Sequence, residues 1–598
     1  MVLPAIGVLA LSALGAPGQL QFKGEPVDLG PSAPRVGELI PDLGFTDLSG
    51  AAATLEKLMG AAGLVVVIRD VHCPVSSRYG ARLARLEEEY AAKGFGFLFL
   101  NVNPADTLES ATGEIRAYGF EAPYVLDPRA PLAAALSATT STEVFVLDAA
   151  RTLRYRGAVD DQYGIGFTKP EPTVNYLRDA LDAVAAGRQP AVRATIAPGC
   201  YLSLGEAAAP APEITYHNRI SRIIQAKCQG CHRPGGVGPF PMMSHLQVDA
   251  RRQMIRWVLA ERIMPPWYAD PGSGPWANDF SLTGEEVADF VAWIDNGAPE
   301  GDPTDAPLPR AFSDWTIGEP DAVFAIEEPI SVPAEGPVDY QYTYVKTDFP
   351  EDRWIQAMEI RPTAPQVTHH VLVFLEGPEV RERIRNARTE DEERAARRDW
   401  QGGLQGYFAS AVPGQAGLVF PPGMAKRLPA GAWLKFQLHY TANGRQAIDQ
   451  SRIGLVFADA PAPTEVRTSA AFDTEFVIPA GAGAHEVAAE YEFPEDAELL
   501  SLFPHTHLRG KEFYFQLAYP DGRLEEVLPI SRYDFNWQLN YAFHAPKRVP
   551  AGTRMRIRAI YDNSAANPAN PDPAVDVAFG EQTWEEMLIG YVNWIPAR

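Results

Sequence analysis

The sequence predicts a multidomain protein that runs from an α/β segment through an all-α segment into two β-sandwich segments. Three observations carry that reading. The chain has 598 residues, about four times the ordinary domain size. Small, Pro-rich stretches without periodicity interrupt it at 205–213, 302–310 and 459–463, which is the composition of linkers. The hydrophobic period also changes from piece to piece, and that period is the main signal of secondary structure. The expected boundaries are 33–204, 212–303, 312–460 and 465–598.

In the first segment, apolar strands at 64–68, 95–102, 143–147 and 153–157 alternate with an amphipathic helix at 78–92 and a closing helix at 173–186. The second segment has helical patterns at 216–227, 248–262 and 283–296. The last of these opens with Thr283 followed by Glu286, the spacing of a capping box. From Phe312 onward the pattern is strands such as 433–440 and 512–518, with Pro520-Asp521-Gly522 as a turn.

Composition narrows the function. Hydrophobic residues make up 46% and charged residues 21%, values of a chain that folds. Lys and Arg total 52 against 76 Asp and Glu, a formal charge of -24, which repels phosphate backbones. Nucleic acid is therefore not an expected partner. Beyond the N-terminus no apolar run reaches the ~18 residues needed to span a bilayer. Residues 1–18 are apolar or small, with Ala13-Leu14-Gly15-Ala16 near a cleavage point. They read as an export signal without its charged start, and the expected location is periplasmic or secreted.

The four cysteines stand at 73, 200, 228 and 231, too few to build the fold from disulfides. Cys228-Gln229-Gly230-Cys231-His232 is the attachment pattern for a covalent c-type haem, with two thiols for the vinyl groups and an adjacent axial imidazole. A zinc or redox CxxC does not require that His, and no second cysteine pair completes a zinc site. Met242, Met243, Met264 and His245 all follow at distances suited to a sixth ligand, and spacing alone does not choose among them. The run Lys227 to Gly235, with Arg262-Ile263-Met264-Pro265-Pro266-Trp267 and Trp293 to Pro299, resembles the small cytochrome domain of multidomain bacterial redox proteins. That resemblance implies Met264 as the sixth ligand and one-electron transfer, not oxygen chemistry, at the haem.

Cys73-Pro74-Val75-Ser76 lies between a strand and the start of a helix, a position that favours a thiolate. With the strands Val144 to Asp148 and Tyr155 to Gly157, about 170 residues resemble the redoxin branch of the thioredoxin fold. Ser76 stands where a dithiol enzyme has its second Cys, and Ser141-Thr142 where a cis-proline is usual. Cys200 is then the thiol left to resolve a Cys73 intermediate. The bland alternative is that Cys73 is packed and inert.

A second chemistry is marked by His369-His370, His439, His505-Thr506-His507 and Met587, all read as lying on strands. Residues two apart on a strand face the same way, so His505 and His507 can grip one ion. His439 shares a face with Trp433, Lys435 and Gln437, opposite Leu434, Phe436 and Leu438, and so is read as off the core. His369 and His370 need a bulge or a strand end to point at one ion. Imidazoles suit copper or zinc, and an added thioether selects Cu(I).

From His369 onward the order HH, H, HxH, M resembles the copper type II, ascorbate-dependent monooxygenases, the peptidylglycine and dopamine hydroxylase group. The resemblance implies tandem jelly-roll lobes and two copper ions. His369, His370 and His439 would hold the electron-transferring ion, and His505, His507 and Met587 the oxygen-activating one, with Tyr591 beside it. Phe503 stands where the peptidylglycine enzymes have an arginine that binds a carboxylate, so a peptide carboxylate is not the expected substrate. The expectation is a monooxygenase that hydroxylates a C–H bond of a small molecule with O2. Its electrons would come from a donor protein or a small reductant such as ascorbate, in part through the fused haem. The competing expectation is a non-enzymatic haem and copper carrier or metal-handling protein with a thiol-reactive redoxin segment.

Overall fold

A computed structural model describes residues 20–128, 130–204, 213–389, 392, 407–415, 417–459 and 463–597. The export signal over 1–18, most of the 205–213 linker and the centre of the 459–463 break lie outside the described residues. Among the described residues no helix is long and apolar enough to cross a membrane.

The first body is a five-stranded sheet in the order Tyr124–Leu126, Phe95–Asn101, Gly63–Arg69, Val144–Asp148, Leu153–Gly157. The Gly63–Arg69 strand is buried along its whole length, as a central strand covered on both faces must be. The Pro74–Ala91 helix and the Tyr176–Ala185 helix occupy the places the periodicity assigns. The Leu108–Tyr118 helix and the Tyr124–Leu126 strand were not anticipated, because short elements leave little period to read. The body also starts earlier than residue 33. Leu20 is in its core, and Leu29 N–H bonds the Ala194 carbonyl at 2.9 Å.

Among the described residues the regular elements of the second body are helices, at Tyr216–Ile220 continuing into Ser221–Lys227, at His245–Asp249, Arg252–Ala260 and Gly284–Asp295, and Trp276 makes a β-bridge to Phe543 of the last body. Thr283 and Glu286 form both hydrogen bonds of the capping box. This segment is not self-contained. Met254, Trp257 and Ile263 belong to the core of the first body, while Tyr268, Ala269 and Trp276 belong to the core of the last. An apolar face that its own few helices leave uncovered is buried against neighbours on either side.

The C-terminal half is a large β region of two antiparallel sandwiches. In the first, strands including Arg353–Arg361 and Arg452–Phe457 share a core with a four-stranded sheet ordered Gln341–Lys346, Trp433–Tyr440, Thr368–Glu376, Tyr407–Ala411. The helix Pro378–Asn386 interrupts it. In the second, the sheet Arg467–Asp473, Leu588–Pro596, Ala497–His505, Tyr541–Val549 packs on the sheet His485–Glu492, Arg554–Tyr561, Gly510–Ala518, Leu524–Ile530. The first body docks on the first sandwich through Arg85 and Glu335 at 2.8 Å and through Arg445 Nε donating to Tyr118 Oη at 2.9 Å. At that seam Gly444 has φ +89° and faces the Ser77 carbonyl so closely that no side chain fits.

Candidate metal and thiol centres

His370 pairs directly with His439 across the Thr368–Glu376 and Trp433–Tyr440 strands, and the register shifts between Thr368 and His370. The extra residue at that bulge is His369, and it turns the two adjacent imidazoles to one side. Ring centroids are 5.3 Å apart for His369–His370, 4.9 Å for His369–His439 and 5.0 Å for His370–His439, close to an equilateral triangle. One nitrogen from each of the three lies within 4.8 Å of the others. His369 Nε2, His370 Nε2 and His439 Nδ1 are buried without a hydrogen-bond partner, an expensive arrangement for polar atoms unless something else binds them. The donor set therefore fits a copper or zinc ion. Burial holds His369 down to about 4 and His370 and His439 well below their ordinary value, so all three are neutral donors at pH 7.

The strand face carrying His439 is not open. Lys435, Gln437 and His439 are buried like Leu434, Phe436 and Leu438 opposite them, Lys435 and Gln437 against Tyr342 of the same sandwich and His439 against the second sandwich. Phe535 from the second sandwich stacks on His369 at 4.5 Å, and Thr583 Oγ1 lies 3.2 Å from His439 Nε2. Tyr340 sets its ring edge-on to His439 at 4.6 Å.

His505 ends the Ala497–His505 strand, while His507 and Met587 lie just beyond strand ends and not on strands as expected. Register still brings them together. His505 pairs with Ile589, and carrying that register two residues further sets His507 opposite Met587. Glu586 fixes the arrangement, accepting the His507 N–H at 2.8 Å, the Arg509 N–H at 2.6 Å and the Met587 N–H at 3.3 Å. It is fully buried, and burial raises its carboxyl to about 7 despite those donors. His505 Nδ1 is held by Gln538 at 2.5 Å and His507 Nδ1 by the Glu585 carbonyl at 3.1 Å. Both Nε2 atoms are thereby oriented for a ligand role. Burial brings His505 down to about 4 and His507 to about 3. Two neutral imidazoles fit a copper ion, and Met587, whose backbone N–H shares Glu586 with that of His507, would add the thioether that selects Cu(I). Tyr591 faces the lobe junction, stacked on Tyr407 at 4.6 Å, with Phe503 beside it.

In the helical segment Cys228 and Cys231 are free, half-buried thiols one turn apart. His232 Nδ1 meets the Phe240 carbonyl at 2.9 Å, leaving Nε2 for iron, so these three residues fit a covalent haem. Met242 is in the segment's core with Cys228, and its N–H bonds the His232 carbonyl at 3.0 Å. His245 Nε2 is taken up at 2.7 Å from the Ala298 carbonyl. Met243 and Met264 are half-buried, and Met264 packs with Trp257 and Ile263 against the first body.

Cys73 is the N-cap of the Pro74–Ala91 helix, its sulfur accepting the Ser76 N–H at 3.5 Å. Cys200 donates to it through its S–H, and Cys200 N–H bonds Ser141 Oγ at 3.0 Å. Both thiols are buried, at 0% and 4% exposure. Burial pushes the Cys73 thiol up, but the Cys200 donor, with Ser141 and the Ser76 amide, outweighs it and brings the thiol to about 7. Cys200 is pushed well up by giving that hydrogen bond and by burial. The pair is an asymmetric dithiol, one sulfur poised as a thiolate.

Several partners escaped the sequence reading. Phe535, Thr583, Gln538 and Glu586 carry no motif of their own. Glu586 directly follows Glu585 in a polar run, so nothing local marks it as the buried one.

Residues 35–173 match the Redoxin family. Solved structures similar to parts of the chain include a hypothetical protein from Sinorhizobium meliloti 1021, 28% identical over 30% of this chain and 94% of that one, with a TM-score of 0.26. Another is an uncharacterized conserved protein from Geobacillus kaustophilus, 26% identical over 29% and 94%, with a TM-score of 0.26. A third is the peroxidoxin BcpB from Mycobacterium tuberculosis, 16% identical over 26% and 98%, with a TM-score of 0.21. No curated protein matches. The first body is thus an α/β segment whose residues 35–173, Cys73 included, match the Redoxin family, with Cys200 lying beyond the match.

Proposed function

We propose that the protein is a periplasmic or secreted oxidoreductase whose C-terminal half hydroxylates a C–H bond of a small molecule with O2, using two copper ions. The observation that carries this reading is the bulged triad, in which one nitrogen of each ring lies within 4.8 Å of the others and each ring also has a buried nitrogen without a hydrogen-bond partner. Copper, when bound, supplies single electrons and activates O2. The chain's own residues do the rest. His369, His370 and His439 hold the electron-transferring ion, and His505, His507 and Met587 hold the second, kept in register by Glu586. Phe535, Tyr340 and the apolar ring cluster around Tyr591 keep water from both. Tyr407, Phe503 and Tyr591 make the junction beside Met587 apolar and aromatic, which favours a substrate without a carboxylate at that end. The redoxin segment adds thiol oxidoreductase chemistry. Cys228, Cys231 and His232, with Met264 as sixth ligand, would hold a c-type haem, which would supply one-electron transfer.

A second reading, a haem and copper carrier without turnover, draws on how tightly Phe535 and Thr583 close over the triad. Copper-loaded protein, reduced and exposed to candidate substrates, separates the two. Substrate-dependent O2 uptake with an equivalent of hydroxylated product supports the enzyme. O2 uptake with no product in the presence of any substrate supports the carrier.

A further inference from the structure

The redoxin thiols are roofed by another segment of the chain. Arg251, the residue before the Arg252–Ala260 helix of the helical segment, makes a two-pronged ion pair with Asp70 of the redoxin segment. Its Nη2 donates to Asp70 Oδ1 at 2.9 Å and its Nη1 to Oδ2. Both side chains are 4% exposed. Asp70 also accepts the His72 N–H at 3.0 Å and lies three residues before Cys73, whose N–H bonds the Asp70 carbonyl at 3.2 Å. The far side of the Arg251 guanidinium lies over the Phe240 ring at 4.7 Å. Phe240 is the residue whose carbonyl holds the haem-motif His232.

A buried carboxylate beside a thiol works against thiolate formation, because like charges share a low-dielectric site. The groups facing Cys73 are Asp70, Cys200 and Arg78, with the His72–Asp106 pair at 2.6 Å behind Asp70 and Arg251 facing Cys200 and Asp70. Arg78 has its guanidinium on Thr168 at 2.6 Å and no carboxylate partner among the described residues. Of the two cations, Arg251 is the one that cancels the Asp70 charge.

We propose that Arg251, contributed by the helical segment, is a positioning residue of the redoxin thiol centre: by neutralising Asp70 it makes Cys73 reactivity conditional on the docked helical segment. This rests on the reading of Cys73 and Cys200 as a reactive pair. It places the thiol centre across two segments of the chain, although the family match ends at residue 173. A change in the thiols and a change around His232 then share the Asp70–Arg251–Phe240 contact.

The test is the pH profile of Cys73 alkylation by iodoacetamide in the full chain, followed by peptide mass spectrometry. Wild type should show a midpoint near 7. R251M should move the midpoint up by roughly one unit and slow alkylation at pH 7 about fivefold, since Asp70 is left uncancelled. D70N should move it down, because Arg251 then acts on the thiols without a counter-charge. The double variant D70N/R251M, which removes both charges, should return to within about threefold of wild type. If R251M does not fold, the downward shift in D70N and the recovery in the double variant still decide. Unmoved midpoints in D70N and R251M, or a double variant as slow as R251M alone, would overturn the proposal. An ordinary thiol profile in wild type would instead reject the reactive-pair reading beneath it.

Discussion

His439 and Thr583 meet across the boundary between the two sandwiches, Nε2 to Oγ1 at 3.2 Å. His439 belongs to the triad of the first sandwich, and Thr583 to the loop that leads into Glu586 and Met587 of the second. The two histidine sets are thus not separate surface features. Phe535 stands between them, stacked on His369 at 4.5 Å and edge-on to His507 at 5.9 Å.

Metal content should follow that division. Metal-free protein titrated with Cu(I) should take up two ions, and His439→Ala should take up one. Met587→Leu should keep two but lose the sulfur shell in X-ray absorption, since the thioether belongs to the second set alone. A sulfur shell that survives in Met587→Leu would remove that residue from the ligand set.

Stability of the metal-free protein should fall in acid, and the sign follows from burial. The five imidazoles are neutral in the fold, with His369 and His505 at about 4 and His507 at about 3, whereas unfolded imidazoles titrate near 6.5. Above about 6.5 neither state is protonated and stability is complete. As pH drops below that, the unfolded chain takes up protons that the fold refuses, and stability is lost until the folded values are reached. Urea midpoints measured from pH 7.5 to 4 should decline over that window. A redox-inert Zn(II) should raise the pH 7 midpoint. A flat profile would mean these rings are not buried and neutral.

A haem taken up at Cys228 and Cys231 should be covalent, since two thioethers would hold the porphyrin independently of iron ligation. Acid–acetone should leave haem on wild-type protein and release it from the Cys228→Ala, Cys231→Ala double variant. Extraction from wild type would defeat the attachment.

Cys200 should control Cys73 directly. Removing its S–H donor in Cys200→Ala leaves burial, the larger opposing effect, less compensated. The Cys73 alkylation midpoint should therefore rise above 7, and treatment with peroxide should no longer give an internal disulfide. An unchanged midpoint would show that the helix terminus and Ser141 alone set the thiol.

Much of the redoxin body could be read directly, because its strands are fully buried runs and its Pro74–Ala91 helix has a clear period. The Leu153–Gly157 and Trp433–Tyr440 strands lie where the sequence puts them. The bulge that joint ligation by His369 and His370 requires is present as a register shift at that point. What the period does not give is burial. The face of Trp433–Tyr440 that carries His439 reads as not simply core, yet Lys435 and Gln437 are buried on it, Lys435 over the Tyr342 and Phe374 rings and Gln437 donating to Tyr342 Oη. Alternation reports which residues share a face, not what covers it.

The sequence by itself determined the inventory of groups: a thiol at a helix start, a Cys-x-x-Cys-His pentapeptide, and clustered imidazoles at and near strand ends. These are local properties, set by chain stereochemistry over a few residues. Only the tertiary structure decided who completes each centre. Arg251 reaches Asp70 across 181 residues, and Thr583 reaches His439 across 144. Such partners meet because segments with incomplete cores bury their remaining apolar surface against one another. That drive is non-directional and leaves no periodic trace in the chain.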